Sequence, residues 1–225
     1  MKILITGCNR GIGKALAELA LKKGYEVIGT ARDVQALKSL AANPKLTALA
    51  LDVVSETSLQ TFAKELSGKA DHLDVLINNA GVLLDGSTSF DELTREQIEH
   101  TFAVNVIGPH RVTQIVKPLL LKSKTPRLVS VTSIMGSISD NSTGKYYAYR
   151  MSKTALNMWN KSFSIDHPHV AAIVVHPGWV KTEMGGAQAL LEASDSAAGI
   201  LKLAEELTLS ATGKFFDYRG RELPW

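Results

Sequence analysis

The sequence predicts an α/β fold built around a doubly wound parallel sheet. Short apolar runs alternate with amphipathic stretches along the whole chain, and the runs lack the polar alternation of a half-exposed sheet. The first run leads directly into a glycine-rich turn and then into an amphipathic segment. Strict alternation of strands and helices favours right-handed crossovers, which place helices on both faces of the sheet.

The expected strands and helices follow from these patterns. The segments predicted as strands are 2–5, 25–30, 46–51, 73–77, 127–131, 170–175 and 213–216. The segments predicted as helices are 12–23, 34–42, 55–68, 94–122, 147–166 and 195–208. Boundary signals agree, because Lys22 and Lys23 precede Gly24 at one helix end and Thr94-Arg95-Glu96-Gln97 matches a capping box at a helix start.

Length and composition indicate one globular domain, residues 1–225, with 45% hydrophobic and 21% charged residues. No apolar run approaches the roughly 18 residues that a membrane span needs, and no leader segment is evident, so we expect a cytoplasmic protein that binds no membrane. The net charge of +3 comes without a basic block, so nucleic-acid binding is not expected. Cys8 is the only cysteine, so no internal disulfide can form, and no metal site is expected.

The glycine turn that follows the first strand predicts a nucleotide site. Its spacing is G-x-x-x-G-x-G rather than G-x-G-x-x-G, but a strand, a glycine turn and a helix still present unpaired N–H groups to a pyrophosphate. An ordinary βα turn is the alternative. The turn residues expected to bind a coenzyme are Gly7, Asn9, Arg10, Gly11, Ile12 and Gly13.

If the glycine turn binds a dinucleotide, the end of the second strand distinguishes NADP from NAD. An acidic residue there would bind the ribose 2′-hydroxyl and repel a 2′-phosphate. The sequence instead has a small Ala31 and then Arg32, whose guanidinium suits phosphate oxygens, and Arg10 offers a second cation. We therefore expect NADP(H). The alternative is that Arg10 and Arg32 are ordinary surface arginines that bind no ligand. Asp33, one position later, keeps NAD as the minor alternative.

Two further strand ends carry residues suited to the same coenzyme. Asp52 and Val53 end the third strand, where we expect a carboxylate and backbone groups to meet the adenine edge. Asn79, Ala80 and Gly81 end the fourth strand, and their small side chains permit close backbone approach. Either motif alone would be ordinary turn chemistry.

Tyr149 and Lys153 are four residues apart in a predicted helix and so lie on one face. A phenol has a pKa near 10, and a neighbouring cation moves that pKa toward neutrality. A Tyr-x-x-x-Lys pair is common by chance. Ser133 favours a functional pair over a chance one, because it follows the fifth strand at the carboxyl edge, where ligands bind in such sheets.

Asn105 lies in the long predicted helix shortly before Pro109. Proline has no N–H group, so the carbonyl of residue 105 loses its usual partner four residues later. A carbonyl freed in this way can hold an ordered water that connects an active site to solvent. A kinked helix whose carbonyl is satisfied by a neighbouring group is the alternative.

Taken in order, these motifs resemble the short-chain dehydrogenase/reductase family. The motifs that carry the resemblance are Thr6-Gly-x-x-x-Gly-x-Gly13, Asn78-Asn-Ala-Gly81, Asn105, Ser133, Tyr149-x-x-x-Lys153 and Pro177-Gly178-x-Val180-x-Thr182. Residues 7–11, 176–182 and 213–225 look, more narrowly, like the branch of sniffer-type carbonyl reductases and C-factor.

The resemblance implies a Rossmann-type three-layer αβα sandwich with a doubly wound, seven-stranded parallel sheet and NADP(H)-dependent carbonyl/alcohol chemistry. Tyr149 would be the acid in reduction and the base in oxidation, and Ser133 would orient the carbonyl. Lys153 would grip the nicotinamide ribose and lower the tyrosine pKa, while Asn105 would organise a water relay. The residues implied to flank the nicotinamide are Pro177, Gly178, Val180 and Thr182.

The expected activity is NADPH-dependent reduction of small ketones, aldehydes or quinones, for which an apolar pocket is suitable. The expected pocket walls are Leu84, Ile134, Trp179 and Met184, with plain core packing as the alternative for each. A coenzyme-binding regulator with little turnover is the alternative function, since a fold does not fix a function. The helices predicted at 94–122 and 147–166 are those that relatives use for subunit contacts, so we expect a homodimer or homotetramer.

Overall fold

The computed structural model describes residues 1–225 and contains one sheet of seven strands, ordered β3-β2-β1-β4-β5-β6-β7. All neighbouring strands pair in parallel. The strands are β1 Lys2–Ile5, β2 Glu26–Ala31, β3 Leu46–Ala50, β4 Val75–Asn78, β5 Arg127–Val131, β6 Ala171–His176 and β7 Phe215–Asp217. The predicted doubly wound parallel sheet is confirmed, and its direction of winding reverses between β1 and β4, where such sheets bind ligands.

Six α-helices cover the two faces of this sheet. They are α1 Gly11–Lys22, α2 Glu56–Ser67, α3 Arg95–Phe102, α4 Gly108–Leu120, α5 Tyr147–Asp166 and α6 Ala193–Glu206. None of them is both long enough and apolar enough to cross a membrane. The predicted capping box is present, because the Thr94 side chain accepts from the Gln97 N–H and the Gln97 side chain accepts from the Thr94 N–H.

Two predicted helices differ from the structure. The single helix predicted at 94–122 is interrupted by a π turn at Ala103–Ile107, which joins α3 to α4 just before Pro109. The helix predicted at 34–42 is only a 3₁₀ turn, Val34–Leu37. Leu37 ends this turn, and Leu40, three residues later, donates from its N–H to the Leu37 carbonyl at 2.9 Å, so an i→i+3 spacing buries both side chains.

The apolar core lies on both faces of the sheet. Along β1, Ile3 and Ile5 pack into the cluster that includes buried residues of α1 and α6, while Leu4 packs into the cluster that includes residues of α2 and α4. Because successive strand residues point to opposite faces, a strand covered on both sides must be apolar throughout. Each fully buried Leu or Ile stabilises the fold by roughly 1.5–3 kcal/mol. The core therefore holds the sheet rigid, and with it the carboxyl edge from which the loops after the strands leave.

The loops after β1 and β4 are tied together at the reversal point. The Asn79 side chain donates to the Thr6 carbonyl at 2.8 Å, and the Thr6 hydroxyl accepts from the Asn79 and Ala80 N–H groups at 2.9 and 3.0 Å. Gly13, in the first turn of α1, lies close to Gly7 and Asn79. A Cβ at position 13 would overlap the Gly7 carbonyl oxygen and the Asn79 amide. The glycine loop therefore has no room for a larger residue at position 13.

We expect Gly13→Ala to lower the free energy of unfolding by about 3 kcal/mol, since the added methyl must displace backbone. Denaturant unfolding measures the loss. Gly68→Ala is the matched control: Gly68 ends α2, has a φ of −87° and offers space for a Cβ. Its stability should stay within about 0.5 kcal/mol of wild type. Equal stabilities of the two variants would contradict the packing described here.

Candidate active site

A cleft of about 470 Å³ lies along the carboxyl edge of the sheet. It brings together most of the residues that the sequence predicted for coenzyme and substrate. The predicted residues that line it are Gly7, Asn9, Arg10, Gly11, Ile12, Gly13, Arg32, Asp52, Val53, Asn79, Ala80, Gly81, Tyr149, Lys153, Pro177, Thr182 and Met184. One continuous cavity thus joins the glycine turn to the Tyr149–Lys153 pair.

The other predicted site residues lie around this cleft rather than in its lining. Ser133 and Asn105 are buried, and Val180 is buried in a bridge to Leu191. Gly178 has a φ of +86° and packs against Tyr218. The proposed pocket residues Leu84, Ile134 and Trp179 are also outside the lining. Leu84 and Trp179 are exposed, so their contact with a substrate stays a prediction.

The glycine turn forms an anion-binding helix terminus. Gly7 and Gly11 have φ values of +72° and +55°, which other residues rarely adopt. Arg10 precedes α1 in an extended conformation, and its side chain makes no capping bond. The N–H groups of the first α1 turn therefore remain available to a ligand, and they lie at the cleft. This geometry fits the pyrophosphate of a dinucleotide.

The far end of the cleft carries charged groups of both signs. Arg32 is exposed and has no salt-bridge partner. The Asp33 carboxylate accepts a hydrogen bond of 2.9 Å from the Gln35 N–H and so caps the short 3₁₀ turn. Arg10 forms an ion pair with Glu183, which also lines the cleft. Asp33 thus already has a structural partner, whereas the Arg32 guanidinium is free to bind an anion.

Tyr149 and Lys153 lie at the opposite end of the cleft, and Ser133, outside the lining, is a hydrogen-bond partner of Tyr149. Tyr149 and Lys153 are one turn apart on α5 and are 7% and 4% exposed. The Lys153 ammonium lies 5.6 Å from the centre of the Tyr149 ring and donates to the Val131 carbonyl at 3.0 Å. Ser133 precedes a 3₁₀ turn, where its hydroxyl accepts from the Met135 N–H.

Burial dominates the electrostatics of this group. It raises the pKa of Tyr149 to about 12, while a hydrogen bond with Ser133 lowers that pKa and the charge of Asp85 raises it. Burial also lowers the pKa of Lys153 to about 8, because an ammonium is poorly solvated there. In this structure, the Lys153 ammonium faces the Val131 carbonyl, and the expected lowering of the Tyr149 pKa by Lys153 is not seen. At neutral pH the phenol therefore holds its proton.

Asn105 lies in the π turn and is completely buried. Its side chain accepts from the Val82 N–H and donates to the Val82 carbonyl, both at 2.9 Å, and it also donates to the Ser152 hydroxyl at 3.0 Å. It thereby fixes the strand-end loop that follows Gly81 against α5. The expected water at the Asn105 carbonyl stays a prediction.

Several cleft residues were not anticipated from the sequence. They are Thr30, Ala36, Leu51, Val54, Val82, His100, Val104, Val131, Thr132 and Glu183. Thr30, Leu51 and Val131 occupy strand ends whose neighbours were predicted, so their position was the available signal. His100 and Glu183 offered none, because α3 and the loop after β6 reach the cleft only through tertiary packing.

Comparison with known proteins finds relatives that span the chain. The family model described as short chain dehydrogenase matches residues 1–191. The C-signal protein of Myxococcus xanthus is 45% identical over 159 residues, covering 68% of this chain and 93% of that protein. Two solved structures each match with a TM-score of 0.93 over 100% of this chain: carbonyl reductase Sniffer of D. melanogaster (32% identity, 99% of that chain) and NADPH-bound carbonyl reductase from chicken fatty liver (30% identity, 98% of that chain).

We expect Asn105→Ala to lower the free energy of unfolding by about 2–4 kcal/mol, because it leaves the Val82 N–H and carbonyl without partners. Thermal or denaturant unfolding measures this loss. Gln114→Ala, at an exposed position of α4, is the control and should change stability by less than about 0.5 kcal/mol. A wild-type stability for Asn105→Ala would mean that these three hydrogen bonds do not hold the loop.

Proposed function

This chain belongs to the short-chain dehydrogenase/reductase family of oxidoreductases, and we propose that it reduces carbonyl groups of small molecules with NADPH. One observation carries the proposal. Tyr149 and Lys153 line one end of a single cleft with Ser133 as the hydrogen-bond partner of Tyr149, and the glycine turn and Arg32 lie along the rest of the cleft. A proton donor thus lies where a dinucleotide bound along the cleft would place its reactive ring.

Each of the three side chains has a separate role in the reduction. When bound, the nicotinamide would supply hydride to the carbonyl carbon. The Tyr149 phenol, protonated at neutral pH, donates its proton to the oxygen as negative charge develops there. The Ser133 hydroxyl holds the same oxygen and orients the carbonyl. Lys153, held by the Val131 carbonyl, provides a buried cation beside the phenol. Together they fix the substrate and transfer one proton.

NADPH is the proposed coenzyme rather than NADH. The support is the unpaired Arg32 at the end of β2, the involvement of Asp33 in a structural cap, and the chain's likeness to an NADPH-bound carbonyl reductase. A guanidinium binds phosphate oxygens through paired, charge-assisted hydrogen bonds. The 2′-phosphate therefore provides the distinguishing contact.

Small apolar ketones, aldehydes or quinones are the proposed substrates. Leu84, Trp179 and Met184 are 41%, 54% and 46% exposed, and Met184 lines the cleft. The Trp179 indole is held by a 2.8 Å hydrogen bond to the Gly185 carbonyl. These side chains would form an apolar mouth above the reacting groups.

A purely regulatory coenzyme sensor has less support. Such a protein needs a binding cleft but no proton donor, no hydroxyl to hold a carbonyl and no buried cation, and this chain has all three. NADPH consumption with a panel of ketones, aldehydes and quinones separates the two functions. Tight NADPH binding without turnover on any of them would favour the sensor.

We expect Tyr149→Phe to reduce kcat by at least about 100-fold, the usual contribution of a positioned general acid, with little change in NADPH affinity. Steady-state reduction and fluorescence titration of NADPH measure the two quantities. Tyr147→Phe is the control, because Tyr147 is two residues away on α5, is 41% exposed and packs on Phe90. It should reduce substrates at the wild-type rate. Normal turnover by Tyr149→Phe would remove Tyr149 from this role.

We expect Arg32→Asp to raise the KM for NADPH by roughly 10–100-fold, because it removes charge-assisted hydrogen bonds and adds a like charge. The KM for NADH should change far less, since NADH has no 2′-phosphate. Initial rates with each coenzyme give the ratio. Arg95→Asp, which reverses an exposed charge at the start of α3, should leave this ratio at its wild-type value. An unchanged ratio in Arg32→Asp would refute the assignment of the phosphate site.

A further inference from the structure

Asp85 is a buried carboxylate with an incomplete set of partners. It lies in the loop after β4 and is only 2% exposed. Its Oδ2 atom accepts a hydrogen bond of 2.8 Å from the Ala148 N–H, while its Oδ1 atom is buried without any hydrogen-bond partner. A buried carboxylate is costly unless it is paired. The reaction described above assigns no task to this group.

The Ala148 N–H belongs to the first turn of α5, the helix that carries Tyr149 and Lys153. This helix has no cap of its own, because the Tyr146 side chain makes no capping bond. The backbone enters it through three consecutive left-handed residues: Gly144, Lys145 and Tyr146 have φ values of +65°, +56° and +52°. Left-handed conformations are unfavourable for residues with a Cβ, so contacts from elsewhere must hold this entry.

Two side chains supply those contacts. Arg150 donates from its Nε atom to the Gly144 and Lys145 carbonyls at 3.0 and 3.1 Å, which fixes the left-handed segment from the helix side. Asp85, in the loop after β4, accepts a hydrogen bond from the Ala148 N–H. A carboxylate at a helix N-terminus also interacts favourably with the helix dipole. Asp85 thus links the loop beyond Gly81 to the start of α5.

The same carboxylate binds the backbone directly before the proton donor, because Ala148 immediately precedes Tyr149. Its negative charge raises the pKa of the Tyr149 phenol. The other groups that face the phenol are the Ser133 hydroxyl, which lowers that pKa, and the Lys153 ammonium 5.6 Å from the ring. His100 and Glu183 are the remaining titratable groups of α3 and of the loop after β6 that line the shared cleft.

We propose that Asp85 is a positioning residue of the active site, which anchors the first turn of α5 with one carboxylate oxygen and places a buried negative charge at the start of the helix that carries Tyr149 and Lys153. This inference rests on the proposed function for its purpose: carbonyl reduction needs the protonated phenol, and a nearby negative charge extends the pH range of that form toward alkaline pH. A helix cap alone would require only a hydrogen-bond acceptor. The charge is the part that is specific to proton donation.

Asp85→Asn separates the charge from the cap, because the amide keeps an oxygen that can accept from the Ala148 N–H. Ionisation of Tyr149 is followed by ultraviolet difference spectroscopy during alkaline titration. The Tyr149 signal is the titration spectrum of the wild type minus that of Tyr149→Phe. In the Asp85→Asn background it is the spectrum of Asp85→Asn minus that of the double variant with both Asp85→Asn and Tyr149→Phe. Circular dichroism confirms that each protein is folded at every pH compared. This measurement needs neither substrate nor turnover.

The expected result is a Tyr149 midpoint roughly 1 pH unit lower in Asp85→Asn than in the wild type, since a neighbouring negative charge no longer opposes the phenolate. Asp85→Ala should show the same lowering together with a lower melting temperature, because it also loses the cap. Asp91→Asn, which removes an exposed carboxylate from the same connection between β4 and α3, should leave the midpoint unchanged.

An unchanged or higher midpoint in Asp85→Asn overturns the inference, and Asp85 is then at most a helix cap. A midpoint lowered equally by Asp91→Asn overturns it as well, because the effect would then be a general one of net charge. Failure of the proposed function is a separate outcome: the wild type would reduce no carbonyl compound, while the titration would still report on Asp85. In an active enzyme, the alkaline limb of the reduction profile should move to lower pH in Asp85→Asn.

Discussion

The site depends on one constraint: all seven strands run in the same direction, so every loop that follows a strand leaves the sheet at the same edge. Thr6 and Asn79, which are 73 residues apart in sequence, are neighbours only for this reason. The hydrogen bonds from Asn79 to Thr6 and the close fit of Gly13 against Gly7 lock two of these loops at the point where the winding reverses. A cleft along this edge is the direct consequence.

Desolvation then gives the cleft its chemistry. The phenol, the ammonium and the neighbouring carboxylate at one end are almost fully buried, so each charge acts on its neighbours with little screening by water. Burial favours the neutral phenol and weakens the hold of the lysine on its proton. At the other end, Arg32 remains exposed, where it can exchange solvent for a ligand. The two ends thus differ in solvation as well as in residue type.

Patterns that are local in sequence allowed the fold and most of the cleft to be predicted. Apolar strands, the glycine turn and the one-turn spacing of Tyr149 and Lys153 each have a signature within a few residues. The helix predicted at 34–42 was wrong because a short amphipathic pattern does not distinguish a single 3₁₀ turn from a helix. Asp85 was missed because its partner Ala148 is 63 residues away, and a single loop aspartate has no periodicity that reveals burial.

A crystal structure of the chain with NADP⁺ tests the central claim most directly, because that claim concerns the direction in which a dinucleotide lies along one edge of the sheet. The account predicts the pyrophosphate at the first turn of α1, the 2′-phosphate beside Arg32 and the nicotinamide against Tyr149 and Lys153. A coenzyme bound in the reverse direction, or outside the cleft, would contradict it.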